Sequence, residues 1–189
     1  MKMTLALDVE GDGNGGVGVG NVHLSGWFGD IIRIQTLYYA EIKSEKVTNP
    51  HTIITGLQIN DLQNGISLDA AVMQFLSLST CCRLIAMGNG DFKSLGITQQ
   101  NLEGRFIEHL NLQDLWPHRQ PGGLESLDRF LFPDHQKLRR HDDQHVTVGH
   151  SPERDSRVTL KAYIEFLKLQ QKEIPIPSAE TIRDMLTYG

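Results

Sequence analysis

The stretch LALDVEGDG, residues 5–13, sets an apolar run against two carboxylates, Asp8 and Glu10, and then stops in glycine. Read as a strand over residues 3–9, the run turns side chains alternately to opposite faces, so Asp8 and Glu10 project to the same side. Two like charges that close together repel each other. A site built this way calls for positive charge from elsewhere, and the rest of the chain is read for what could bring it.

Working outward, GDGNGGVGVGN, residues 11–21, reads as a loop. VHLSGWF (22–28) and IIRIQTLYYAE (31–41) flank Gly29-Asp30 as a hairpin, which makes the first half of the chain a strand meander. Ser67 caps a helix, LDAAVMQFLSL, with Leu68, Val72, Phe75 and Leu76 on one face. CCRLIAM (81–87) reads as a short buried strand in which Cys81 and Cys82 are inert packing residues. Asp91 to Leu95 starts a helix, NLQDLW (111–116) is a further short strand, and GGLESLDRFLF (122–132) is a helix. Residues 133–149 are polar loop. Ser151-Pro152 then opens a helix with Glu153 and Asp155 in its first turn and Val158, Ala162, Phe166 and Leu169 along one face. The connector EIPIPS leads to a last helix, AETIRDML. A meander followed by alternating helices and strands predicts an α/β fold with a mixed sheet flanked by helices.

Composition narrows the function classes. At 189 residues and 39% hydrophobic content, the chain has the size and apolar share of one folded domain. It holds no apolar run long enough to span a membrane, and MKMTLALDVE does not have the pattern of a signal peptide. Two adjacent cysteines make no disulfide framework, which points to a reducing, intracellular setting, cytoplasmic or nuclear. A net charge of -5 argues against a protein that holds nucleic acid by a broad basic surface. It leaves open an enzyme that meets a few phosphates through metal ions.

Such an enzyme needs carboxylates from several elements. Hard divalent cations take oxygen ligands, and in two-metal phosphoryl chemistry the ions sit about 3.5–4 Å apart over the attacking and leaving oxygens. A histidine is the natural base for the attacking water near neutral pH. Asp8 and Glu10 on the first strand, Asp91 after a buried strand, and Asp155 in a first helical turn form a matching set, with His150 just ahead of that helix.

At these residues the chain resembles a known family. Asp8-Val9-Glu10, Asp91-Phe92 and His150-Ser-Pro-Glu-Arg-Asp155 are similar to the three motifs of the DEDDh 3'-5' exonucleases, the DnaQ-like group within the ribonuclease-H-like superfamily. The likeness covers about residues 3 to 168. GDFKSL and GHSPERDSRVTLKAY resemble the second and third motifs of the Rex-type RNA exonucleases, which include the interferon-stimulated exonuclease. ITGLQINDL resembles the segment before their second motif, and LQDLW sits where the family often has Asp-Thr. The chain departs from the Rex type at Gly11-Asp12-Gly13, where Met-Val-Gly is usual, and at Ile85-Ala86-Met87, where a Gly-His is usual.

The resemblance implies a ribonuclease-H-like fold with a mixed five-stranded sheet, an antiparallel meander followed by parallel strands. It implies two Mg²⁺ or Mn²⁺ ions, with Asp8 bridging both, Glu10 and Asp155 on the ion that carries the water, Asp91 on the second ion, and His150 as general base. The substrate would be the 3' end of single-stranded RNA or DNA, with RNA favoured, and the product a nucleoside 5'-monophosphate. Residues 1–170 would form the exonuclease domain, with the Pro-containing connector and helix of 171–189 packed on it. The alternatives are a DNA-directed proofreading or trimming exonuclease, and a binding domain that is non-catalytic or depends on a protein partner.

Other groupings carry less. His141, His145 and His150 could make a zinc cluster, but Asp142-Asp143 between them reads as hydrated loop and no cysteine lies near. Lys137, Arg139 and Arg140 are as readily a solvated face as a phosphate contact. The glycine-rich stretch lacks the lysine of a P-loop, and Trp27, Phe92 and Trp116 read as core residues before base-stacking ones.

Overall fold

The computed structural model describes residues 3–11, 19–27, 34–44, 55, 57–116, 123–133 and 152–188. Its strands are β1 (Thr4–Gly11), β2 (Val19–Trp27), β3 (Ile34–Glu41), β4 (Arg83–Ala86) and β5 (Glu108–Asn111). They form one five-stranded sheet in the order β3-β2-β1-β4-β5. β1 pairs antiparallel with β2, and β2 with β3, whereas β1–β4 and β4–β5 are parallel. This is the expected mixed sheet, a meander followed by parallel strands. The glycine-rich residues 12–18, the turn at Gly29-Asp30 and residues 134–151 lie outside the described residues.

The helices are α1 (Ile59–Gln63), α2 (Leu68–Ser79), α3 (Gly90–Ser94), α4 (Gln99–Glu103), α5 (Leu112–Leu115), α6 (Gly123–Leu131), α7 (Pro152–Gln171) and α8 (Ala179–Tyr188). α2 begins where its sequence says, with the Ser67 hydroxyl accepting from Ala70 N–H at 3.2 Å. Two faces of β1 then divide the molecule. Leu5 and Leu7 join Val22, Leu24, Leu84 and Ala86 in a core closed by Phe75 and Leu76 of α2. Ala6 and Asp8 face the other way, opposite Ser25 and His23 of β2, on the side covered by α7. A second core lies on that side, where Ile85, Trp116 and Leu127 meet Ala162 and Phe166 of α7 and Ile182 of α8. Burial of each large side chain there contributes about 1.5–3 kcal/mol. Trp116 also donates its Nε1–H to the Ala162 carbonyl at 3.1 Å.

Three local readings change. NLQDLW is not a strand: β5 is the preceding EHLN, and the Asn111 side chain accepts from Gln113 N–H at 3.0 Å, capping α5. Cys81 is exposed, with φ +60, because β4 starts only at Arg83; Cys82 is buried as expected. α1 and α4 were not expected, since five residues are too few to show a helical period. Among the described residues, no helix is long and apolar enough to cross a membrane.

Candidate active site

Strand alternation brings Asp8 and Glu10 to the α7 side of β1, and regular pairing with β2 shifts between Glu10 and Gly11. Asp155 comes from the first turn of α7, buried at 8% exposure. Asp8, Glu10 and Asp155 each offer a carboxylate oxygen within 4.8 Å of the others. The Asp8 Oδ2 atom is buried and has no hydrogen-bond partner among the described residues. A buried carboxylate oxygen left without a donor is unfavourable, and an ion is one of the few groups that relieves it.

Asp91 sits in the first turn of α3, directly after β4, and α3 packs against β1. The turn before it is fixed from the neighbouring strand. Gly88, at φ +84, donates its N–H to Asn111 Oδ1 at 2.9 Å. That φ suits glycine alone without strain. Asp91 is not one of the three groups within 4.8 Å, but its charge reaches them.

The electrostatics follow from crowding. Burial, then the Asp91, Asp155 and Glu10 carboxylates, push the Asp8 carboxyl well above its ordinary range. Burial and then Glu10 push Asp91 up to about 7. Asp8 and Asp91, which resist ionising beside their acidic neighbours, are ready to release protons to a divalent cation. An all-oxygen donor set fits Mg²⁺ or Mn²⁺ better than zinc, which prefers histidine and cysteine. One cation of the chain's own is at hand: Arg154 approaches Asp155 Oδ1 at 3.5 Å and is held at 3.0 Å by Asp128, itself 3% exposed.

His150 lies outside the described residues, as do His141, His145, Lys137, Arg139 and Arg140. Trp116 and Phe92 are core residues, and Trp27 packs at the edge of the second core.

Beside the carboxylates runs a polar chain that sequence reading missed. His23, 1% exposed, contacts Ser156 Oγ through Nδ1 at 2.8 Å and Thr36 Oγ1 through Nε2 at 3.2 Å. Ser25 Oγ lies 2.9 Å from Ser156 Oγ, and Ser156 donates to the Glu153 carbonyl at 3.1 Å. Arg157 donates to Thr36 Oγ1 at 3.4 Å and pairs with Glu153 at 2.7 Å. Burial, reinforced by Arg157 and opposed by Glu153, lowers the His23 pKa to about 4. One proton arrangement then serves every group: His23 Nδ1–H and the Ser25 hydroxyl donate to Ser156, Ser156 donates to Glu153, and Thr36 donates to Nε2. The only sequence signal was period two in VHLS, with Val22 and Leu24 on one face and His23 and Ser25 on the other.

A separate cavity of about 460 Å³ is lined by Phe92, Lys93, Ile97, Leu102, His109 and Asp114, among others. Lys93 and Asp114 are of opposite sign, and burial lowers the His109 pKa. Among the described residues, the lining therefore presents no net positive charge to a polyanion.

By sequence, no protein-family model and no curated protein matches the chain. By shape, the chain is similar to cell-death related nuclease 4 (CRN-4), with a TM-score of 0.60 and 12% identity over 90% of this chain and 64% of that one. It is similar to E. coli exonuclease I bound to a dA16 oligonucleotide, with a TM-score of 0.62 and 12% identity over 100% of this chain and 44% of that one. A 3'-exonuclease that recognises the 3' end of the histone mRNA stem-loop matches at a TM-score of 0.51 and 9% identity, over 94% of each chain. At these identities the likeness establishes the fold, the ribonuclease-H-like arrangement of exonucleases. The chain spans less than two thirds of the length of the first two.

Proposed function

We propose that the chain is a metal-dependent 3'-5' exonuclease that shortens single-stranded nucleic acid, RNA in preference to DNA, and releases nucleoside 5'-monophosphates. The observation that carries this reading is the meeting of Asp8, Glu10 and Asp155 within 4.8 Å around an Asp8 oxygen that has no partner among the described residues, with Asp91 close enough to raise its pKa. The fold is one that exonucleases use, and the motif resemblance supplies the residue roles.

Asp8, Glu10, Asp91 and Asp155 would hold two Mg²⁺ or Mn²⁺ ions, which supply the charge that stabilises the attacking and leaving oxygens. Asp8 and Asp91, held above the ordinary carboxylate range, would give up their protons to the ions, and the burial of Asp155 and of Asp8 Oδ2 would limit competition from water. Asp91 would reach the site from a short helix whose entry turn is pinned by Asn111, an element separate from the strand and helix that carry the other three acids. His150 would take the proton of the attacking water. As the water oxygen bonds to phosphorus the P–O3' bond would break, so that the phosphate stays on the 5' oxygen of the released nucleotide and the shortened strand takes the leaving oxygen as a free 3' hydroxyl. Residues 1–170 would form the nuclease unit, with α8 packed on it through Ile182.

The test is product analysis on 5'-labelled single-stranded RNA and DNA of one sequence, with Mg²⁺, Mn²⁺ or EDTA. A metal-dependent ladder shortening from the 3' end, faster on RNA, is expected. A faster ladder on DNA transfers the reading to a DNA-directed trimming enzyme. A folded, metal-binding chain that cleaves neither substrate overturns catalysis by the isolated chain in favour of a binding or partner-dependent role.

A further inference from the structure

The contact between the sheet and α7 is polar where it is nearest the carboxylates. His23, Ser25 and Ser156 are each at most 1% exposed. Stability alone does not call for such groups, since replacing both partners of a buried hydrogen bond by apolar groups of the same shape can be nearly neutral or stabilising. What they add is direction. Apolar faces tolerate sliding, whereas a hydrogen bond has a narrow range of length and angle.

The position of this contact is informative. His23 is the cross-strand partner of Asp8, and Ser156 follows Asp155 in α7. The 2.8 Å bond between His23 and Ser156 thus joins the strand pair that carries one cluster carboxylate to the helix that carries another. A slip of α7 by one residue is about 1.5 Å. That would break the bond and carry Asp155 as far, whereas a metal site needs its ligands held within about 0.5 Å.

We infer that His23, with Ser25 and Ser156, is a positioning device for the carboxylate cluster: its hydrogen bonds fix the rotation and axial register of α7 and so set Asp155 against Asp8 and Glu10. The inference rests on the metal-dependent reading of that cluster. His23 touches neither substrate nor metal and acts through α7.

The test uses the full-length chain and three readouts: thermal unfolding, Mn²⁺ affinity by calorimetry, and kcat and KM on a single-stranded oligonucleotide. His23→Asn keeps a polar atom at the Nδ1 position, facing Ser156. His23→Gln keeps one at the Nε2 position, facing Thr36. If the bond to Ser156 sets the register, His23→Asn stays within about threefold of the unaltered chain, and His23→Gln loses Mn²⁺ affinity and kcat by about 10–100-fold with KM little changed, the range expected when a support behind a metal ligand is removed. The triple variant His23→Leu, Ser25→Ala, Ser156→Ala removes every polar member together. It is expected to unfold near the unaltered chain's temperature yet bind Mn²⁺ as weakly as His23→Gln. Equal Mn²⁺ affinity and kcat in all four chains would overturn the inference while leaving the nuclease reading intact. An unaltered chain that neither binds Mn²⁺ nor cleaves would overturn the nuclease reading, and the inference with it.

Discussion

Asp8 and His23 stand directly across from one another on paired strands, both turned to α7. One belongs to a cluster whose charges repel, the other to a hydrogen-bonded chain that holds the helix down over it. The neighbouring pair repeats the pattern in milder form, with Ala6 opposite Ser25. The opposite face pairs Leu7 with Leu24 and Val9 with Val22. The sheet is therefore apolar toward α2 and polar toward the first turns of α7, and the candidate site occupies the polar side.

Relief of repulsion is the first consequence. Asp8→Asn or Asp91→Asn removes one charge from a buried group of acids that raise each other's pKa. In EDTA each variant should melt above the unaltered chain, by about 2–4 °C for each kcal/mol relieved. Hydrolysis should fall by roughly 10²–10³-fold, the scale on which a transition-state stabiliser is lost. A lower melting temperature in EDTA, or full activity in either variant, would contradict the arrangement.

Much of this is legible in the sequence itself, for physical reasons. The β1 carboxylates show themselves because strand alternation is strict and acids at the end of an apolar run are conspicuous. α7 announces itself through Pro152 and the acids of its first turn. Other features needed the fold. His23 and Ser156 are 133 residues apart, and nothing local marks either as a partner. NLQDLW is short, and its apolar residues Leu112, Leu115 and Trp116 are spaced as on a helix, yet only the fold shows that the Asn111 side chain ends β5, caps α5 and pins the Gly88 turn. The expected base, His150, lies outside the described residues, so its place beside the cluster rests on the motif alone.

Acidity should act in opposite senses on the metal-free and metal-loaded chain. Asp8 and Asp91 have folded pKa values above the ordinary 3.8, with Asp91 at about 7. A carboxyl raised by folding binds more protons folded than unfolded, so its contribution is full at low pH and is lost as pH rises through the folded value. In EDTA, stability should therefore decline between about pH 4 and pH 7 more steeply than in the Asp8→Asn, Asp91→Asn double variant. Saturating Mn²⁺ displaces those protons and should flatten or reverse the decline. Melting curves across pH, with and without Mn²⁺, check both arms, and identical slopes in the two chains would sink the assignment.

The Arg154–Asp128 pair should break unevenly. Asp128 is almost fully buried, with a side-chain exposure of 4%, whereas 31% of the Arg154 side chain is exposed. Arg154→Met takes the guanidinium away from a buried carboxylate, while Asp128→Asn leaves an arginine that can still reach water and Asp155. The first should cost about 2–4 kcal/mol and the second about 1 kcal/mol. Urea unfolding of the two variants separates them, and equal losses would mean the pair is solvent-screened after all.

A backbone contact remote from the carboxylates gives the sharpest steric expectation. Ile42, just after β3, and Ile66, just before α2, form an isolated parallel bridge, closed by Lys43 N–H to Ile66 O and Ile66 N–H to Glu41 O, both at 2.9 Å. Gly65 lies against this bridge. A Cβ there would fall 2.6 Å from the Glu41 carbonyl oxygen and 2.7 Å from Lys43 N, both main-chain atoms that cannot rotate aside. Gly65→Ala must open the bridge, at a cost of about 1–3 kcal/mol. Gly90, at the start of α3, has nothing among the described residues within 4 Å of the same added carbon. There alanine replaces the poorer helix former, so Gly90→Ala should hold or slightly raise the melting temperature. Thermal unfolding of both variants in EDTA decides the matter: a tolerated Gly65→Ala would mean that the bridge is not part of the stable fold.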